Sequence, residues 1–181
     1  MLKKIFGFIC LGYLSAGSVS AYAEQVNCKP NNITPTTASS RFTINGDETV
    51  TDLKTGLMWK QCAEGLSGSD CETGSVSSAF WDVFLRSVIT LNEGDGFAGH
   101  TDWRMPNVKE LRSIVEEQCY RPAVNLEVFP NTPIVSFFTS TPVKDVSQDN
   151  IWVVEFIHGR VETQRLNSGG SLRLVRNAVQ E

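Results

Sequence analysis

The sequence lacks the short motifs by which many enzymes are recognised. It has no G-x-S-x-G, no H-E-x-x-H and no P-loop, so serine-hydrolase, zinc-protease and nucleotide chemistry have no motif to rest on. Histidine is scarce, with two in 181 residues. His100 and His158 form no H-x-x-x-H pair, and each stands beside glycine in what reads as a turn rather than a metal site. No C-x-x-C occurs, which leaves dithiol redox catalysis without its usual arrangement. A basic excess is missing too. The chain carries 16 Lys+Arg against 20 Asp+Glu, net −4, and nucleic acid would call for the opposite balance. There is no internal repeat, and no stretch after the first residues approaches the length that spans a bilayer.

What is there has the composition of an ordinary globular chain, 41% hydrophobic and 20% charged, with a length that suits one domain. Met1-Leu2-Lys3-Lys4 is a basic start, Ile5 to Ala16 is mostly apolar, and Ala21-Tyr22-Ala23 puts small residues at cleavage-defining positions. This layout predicts a secretory signal peptide over residues 1–23 and an exported protein, periplasmic or at the cell surface. The apolar part is too short and too interrupted for a membrane anchor, and neither Cys10 nor Cys28 stands in a lipoprotein context. Cleavage after Ala23 would remove Lys3, Lys4 and Cys10, leaving 14 basic and 20 acidic residues, net −6, and no transmembrane segment.

Four cysteines then remain, and four half-cystines allow three pairings. Cys62 and Cys71 bracket a Gly/Ser-rich loop that folds back easily, which favours Cys62–Cys71 and leaves Cys28–Cys119 by elimination. On the chain-entropy model the short loop is worth about 2.7 kcal/mol and the long one about 4.6 kcal/mol. Zinc is a poorer use of these spacings in an oxidising compartment.

Residues 24–40 read as an extended, poorly packed lead-in to one domain over residues 41–177, followed by a tail over 178–181. Arg41–Ile44 and Thr49–Asp52 alternate around an Asn45-Gly46-Asp47 turn, and Leu57–Lys60 follows, which suggests an antiparallel meander. Ser75 to Leu91 keeps helical spacing at Val76, Phe80, Val83, Phe84, Val88 and Leu91, with Ser75, Ser77 or Ser78 as the cap. A second helix is expected from Asn107, in a capping box with Glu110, with Leu111, Ile114 and Val115 inward and an outer Arg112–Glu116 pair. From Ile134 the pattern is β: 135–140, a nearly continuous and therefore central 151–157, 161–165 after a His158-Gly159 turn, and 171–176. Two helices with an antiparallel sheet, held by disulfides, make the fold class α+β.

Several groups invite a functional reading. Asn92-Glu93-Gly94-Asp95-Gly96 alternates carboxylates with glycine but lacks the register of a calcium loop, so no metal or other cofactor is expected. Trp59, Trp81, Trp103 and Trp152 could stack on sugars, yet three lie on apolar strands or the apolar helix, which predicts core positions for most. Residues 24–150 carry net −7, whereas residues 151–181 carry net +1. Arg160, Arg165 and Arg173 of that last stretch are candidate ligand-binding residues, against the alternative of a solvated or internally paired set.

The stretch Gly96-Phe97-Ala98-Gly99-His100-Thr101-Asp102-Trp103-Arg104-Met105-Pro106, followed by Lys109-Glu110-Leu111, has the form of a family signature. Thr49–Trp59, Phe129-Pro130-Asn131-Thr132, Phe138–Thr141, Trp152-Val153-Val154 and Val175-Arg176 follow in order. The set resembles the Lcl C-terminal domain family, named for the end domain of a Legionella collagen-like adhesin, from about Arg41 to Asn177. The resemblance implies an exported bacterial module with a C-type-lectin-like, sulfatase-modifying-factor-like fold, and the named member is associated with adhesion to sulfated polysaccharides. Trp59, Trp103, Arg104, Pro106, Trp152 and Arg176 are signature positions expected to serve the fold. Trp103 would pack beneath the second helix, and Arg104 would bond nearby carbonyls. The chain departs from the family in three ways: Met105 stands where Leu is usual, no collagen-like repeat is present, and the balance is acidic. It also lacks the E-P-N or Q-P-D and W-N-D triplets of calcium-dependent lectins. The expectation is a non-enzymatic module that binds a glycan or surface polymer. The alternative is a structural or assembly component that binds an envelope or pilus protein.

Overall fold

The computed structural model describes residues 27–29, 32–144 and 149–178, so the expected signal segment lies outside the described residues. The elements are β1 (Phe42–Ile44), β2 (Thr49–Asp52), β3 (Leu57–Lys60), β4 (Leu66–Ser67), β5 (Thr73–Gly74), α1 (Trp81–Glu93), α2 (Val108–Ser113), β6 (Ser136–Pro142), β7 (Asn150–Glu155), β8 (Arg160–Arg165) and β9 (Val175–Asn177). Every named strand pairing is antiparallel, and the architecture is α+β.

The meander β1-β2-β3 forms around the Asn45-Gly46-Asp47 turn read from the sequence and a second turn over Asp52–Gly56. The Asp47 carboxylate accepts from the Thr49 N–H and hydroxyl at 3.1 and 2.6 Å, which closes the first turn. In the second, Asp52 accepts from Lys54 N and the Thr55 hydroxyl, and its other partner is the Arg41 guanidinium. Burial pushes the Asp52 carboxyl up, but the bonds from Arg41, Thr55 and Lys54 outweigh it and hold the group below its usual value. The sheet order is β1-β2-β3-β9, so the final strand does not extend the C-terminal sheet that its sequence position suggests. It pairs with β3, Met58 opposite Arg176, while Val175 also bridges Arg104.

The second large sheet has the order β6-β7-β8, with β7 central. Successive side chains on a strand point to opposite faces, and here both faces are covered. Val154 and Phe156 enter one core cluster with Trp59, Leu111, Ile114 and Phe137. Ile151 and Val153 enter another with Phe84, Val88, Trp103 and Phe138. Burial on both faces explains why the sequence of β7 reads as a continuous apolar run. By contrast β8 is exposed along nearly its whole length.

The second helix begins as its sequence indicates. Asn107 accepts from Lys109 N and Glu110 N at 2.9 Å, and Glu110 reciprocates on Asn107 N at 2.7 Å. The first helix differs from expectation: it starts at Trp81, with Phe80 at the cap and no side-chain cap. Residues 75–79 keep helical periodicity but are tied elsewhere, with Ser75 N on Gly65 O, Ser77 N on Glu64 O and Ala79 bridging Gly170. Long-range backbone pairing overrides the local pattern, and Val76, Phe80 and Val83 are left exposed.

Two other expectations are corrected. The lead-in is not poorly packed throughout: Thr37 is fully buried, Asn27–Lys29 bonds to residues 118–121, and Cys28 is joined to Cys119. Nor does Glu116 pair with Arg112, whose partner is Glu117. Glu116 turns inward and accepts from the amide and hydroxyl of Thr37 at 2.7 and 2.8 Å. Its other donors are the amide and hydroxyl of Thr36 and the amide of Gln118.

Candidate functional site

The structure joins Cys62 to Cys71 and Cys28 to Cys119. The first closes the loop that carries β4, and the second ties the N-terminal segment to the loop after α2. Neither leaves a thiol for chemistry.

Of the signature residues, Trp59, Trp103, Pro106 and Arg176 are buried, whereas Arg104 and Trp152 are half-buried. Trp59 is fully buried on β3. Trp103 is also buried, but it packs under α1 rather than α2, with Phe84, Val88 and Met105, and its ring meets Phe97 edge-on at 5.8 Å. Asn92 fixes it there by bonding both its N–H and its C=O, at 3.1 and 2.7 Å, so this side chain of the Asn92–Gly96 stretch, whose first two residues belong to the last turn of α1, is already engaged. Arg104 does not bond carbonyls as expected. Its guanidinium takes both Glu110 oxygens at 2.8 Å, a bidentate pair that strengthens the capping box. Burial pushes the Glu110 carboxyl up, yet the Arg104 and Asn107 bonds leave it below its usual value. Pro106 precedes the cap, and its carbonyl accepts from Ser140 N at 2.8 Å. Arg176 is buried against Asp102 at 2.6 Å.

The three candidate arginines are not brought together. Arg173 is the correction: it is fully buried, not available to a ligand. Its guanidinium donates to the carbonyls of Lys60 and Gln61 and to the Thr132 hydroxyl, and lies 4.8 Å over the Phe129 ring. Burial lowers its pKa to about 9, partly opposed by Glu64, so the group stays charged at neutral pH. Arg160 and Arg165 are exposed at opposite ends of β8, five positions apart, so their side chains leave from opposite faces.

Arg165 alone reaches a hollow. Asp149 and Asn150 lead into β7, Arg165 ends β8 opposite Asn150, and Leu166 and Asn167 complete the wall of a cavity of about 450 Å³. The Leu166 N–H donates to the Asp149 carbonyl at 2.8 Å and ties the two strand ends together. A carboxylate, two amides and a guanidinium supply donors and acceptors in one place. Trp152, half-buried, is two residues along from Asn150 and therefore on the same face of the sheet. Asp149, Asn150 and Asn167 were not singled out from the sequence. Their only signal is that polar residues flank two adjacent strands, which many turns share.

His100 closes a tight turn by exchanging backbone bonds with Phe97, and His158 is exposed 3.7 Å from Glu155. Among the described residues no group of three or more His, Cys, Asp or Glu side chains converges on a metal position, and no helix is long and apolar enough to cross a membrane.

The sequence profile of the Lcl C-terminal domain matches residues 48–176. A search of curated proteins returns no significant match.

Proposed function

Since this chain belongs to the Lcl C-terminal domain family, we propose that it is an exported, non-enzymatic binding module that recognises a glycan or surface polymer in adhesion. The observation that carries the reading is the hollow of Asp149, Asn150, Arg165 and Asn167, with Trp152 on the same face of the sheet as Asn150. Sugar hydroxyls take paired donors and acceptors of this kind, and an aromatic face packs on a pyranose ring. The two disulfides support export. Family membership also supports reading the α+β architecture as C-type-lectin-like. Arg160 and Arg173 drop out of the proposed ligand set, and Arg165 stays in it.

The test is a glycan array probed with and without calcium and at two salt concentrations. Binding should fall about tenfold or more in Arg165→Ala and Asn167→Ala, the effect of losing a charged or paired hydrogen bond, with the melting temperature unchanged. No binding under any condition would sink the reading.

One observation favours the assembly alternative. Helix α1 exposes Val83, Leu85 and Ile89, and its cap residue Phe80 is exposed as well, which is much apolar surface for a free helix. Val83 lies on one flank, however, and Leu85 and Ile89 on the other, so they make no single stripe.

A further inference from the structure

The outer edge of β8 carries backbone groups with no partner among the described residues. Their direction follows from the bonds at the strand ends. Val143 N bonds Asn150 O and Phe156 N bonds Val135 O, so the even-numbered residues of β7 are turned toward β6. The odd-numbered residues therefore face β8, and the register pairs Ile151, Val153 and Glu155 with Gln164, Glu162 and Arg160. The Leu166 N–H on Asp149 O fits the same alternation. It follows that the N–H and C=O of Val161 and Thr163 point away from the sheet, and among the described residues no hydrogen bond reaches them. Arg165 points the same way, with its carbonyl used by Ser168 N.

Edge strands are commonly blunted by proline, a bulge, short length or a covering loop. This one has six residues, no proline and an unbroken register with β7, and it is exposed. Only its charges, Arg160, Glu162 and Arg165, discriminate among partners. An antiparallel copy centred on Thr163 sets Glu162 opposite Gln164, Val161 opposite Arg165 and Arg160 opposite Leu166. No like charges meet, and outward-facing residues fall opposite outward-facing residues. A copy centred on Glu162 would place that carboxylate opposite itself. We propose that β8 is a self-association edge, which pairs with β8 of a second copy about a two-fold axis through Thr163 to make one continuous six-stranded sheet.

The contact is smaller than a standard interface, so the dimer is weak and shows toward the upper end of a concentration series. Sedimentation equilibrium from about 1 μM to about 1 mM covers the range in which such a contact registers. The wild type should move from monomer to dimer mass, and Thr163→Pro should weaken association about tenfold or more, the loss of two or more hydrogen bonds. Proline at this position removes an outward N–H and no bond to β7, so near-UV circular dichroism should be unchanged. Should Thr163→Pro disturb the fold, Thr163→Cys decides: mild oxidation should yield a covalent dimer bridged between the two introduced thiols, with Cys28–Cys119 and Cys62–Cys71 intact by peptide mapping. A wild type that stays monomeric throughout overturns the proposal. So does a dimer that Thr163→Pro leaves at full strength, or one that Thr163→Cys fails to cross-link.

Discussion

Glu116 offers the sharpest test of how the N-terminal segment is held. Its carboxylate is buried, forms no salt bridge among the described residues and is satisfied by five donors. Replacement by alanine strands them unequally. Thr36 is exposed and can turn to water, whereas Thr37 is fully buried and its amide and hydroxyl lose their acceptor. Each stranded buried group costs about 1–3 kcal/mol, so Glu116→Ala should lower stability by about 3 kcal/mol, a large share of the roughly 5–15 kcal/mol typical of a domain. Glu116→Gln, which keeps one acceptor oxygen, should fall between. Urea unfolding at neutral pH reads the difference, and hydrogen exchange should show the Thr37 amide losing protection. Acid supplies a second reading. Burial pushes the Glu116 carboxyl up, but the bonds from Thr36, Gln118 and Thr37 outweigh it and hold the group below its usual value. A carboxyl depressed by folding stabilises fully above its unfolded pKa, and that stabilisation is lost as pH falls through the folded value. The gap between wild type and Glu116→Ala should therefore narrow in acid. A loss under about 0.5 kcal/mol at neutral pH, the size of an ordinary surface change, would refute the reasoning.

Two further outcomes follow from the interior. Arg173→Ala should destabilise by about 3 kcal/mol or more, since it empties a buried volume and takes the guanidinium donor from the buried Gln61 carbonyl, whereas Arg173→Met, which keeps the volume, should cost less; thermal melts of both variants rank them, and equal losses would contradict this account. Gly96 has a φ of +69°, and a Cβ there would overlap the His100 carbonyl. Gly96→Ala should cost about 2 kcal/mol or more in chemical unfolding, because the strained backbone and the overlap act together, and a neutral result would show that the turn can relax.

How much could be read from residues alone depended on the reach of the interaction. The meander and the Asn107–Glu110 capping box are set by neighbours within a few residues and were legible; the central position of β7 was legible too, because burial on both faces writes a continuous apolar run into its own sequence. The start of α1 was not, because Val76 and Phe80 satisfy a helical period while the bonds that hold residues 75–79 extended come from Gly65, Glu64 and Gly170. The sheet joined by β9 was hidden for the same reason. Arg173 misled in a different way. A guanidinium between Leu172 and Leu174 on the chain looks like the exposed phase of an alternating strand, but here consecutive residues are buried together, and three oxygens and a phenyl face take the place of water. The hollow brings together termini of adjacent strands, and no spacing along the chain records that meeting.

The placement of β9 beside β3 constrains the order in which the domain can be made. Trp59 is opposite Val175, so the sheet begun by the first strands stays open until nearly the last described residue has been delivered. A chain that crossed a translocation channel N-terminus first would arrive with β3 paired to β2 and its other edge open, and the deeply buried Trp59 would lack its second neighbouring strand until Val175 followed. Cys62 and Cys71, nine positions apart, can meet while the remainder is still in transit. The sheet itself can close only afterwards, as one late, long-range event. A late closure of this kind would keep a chain in transit threadable.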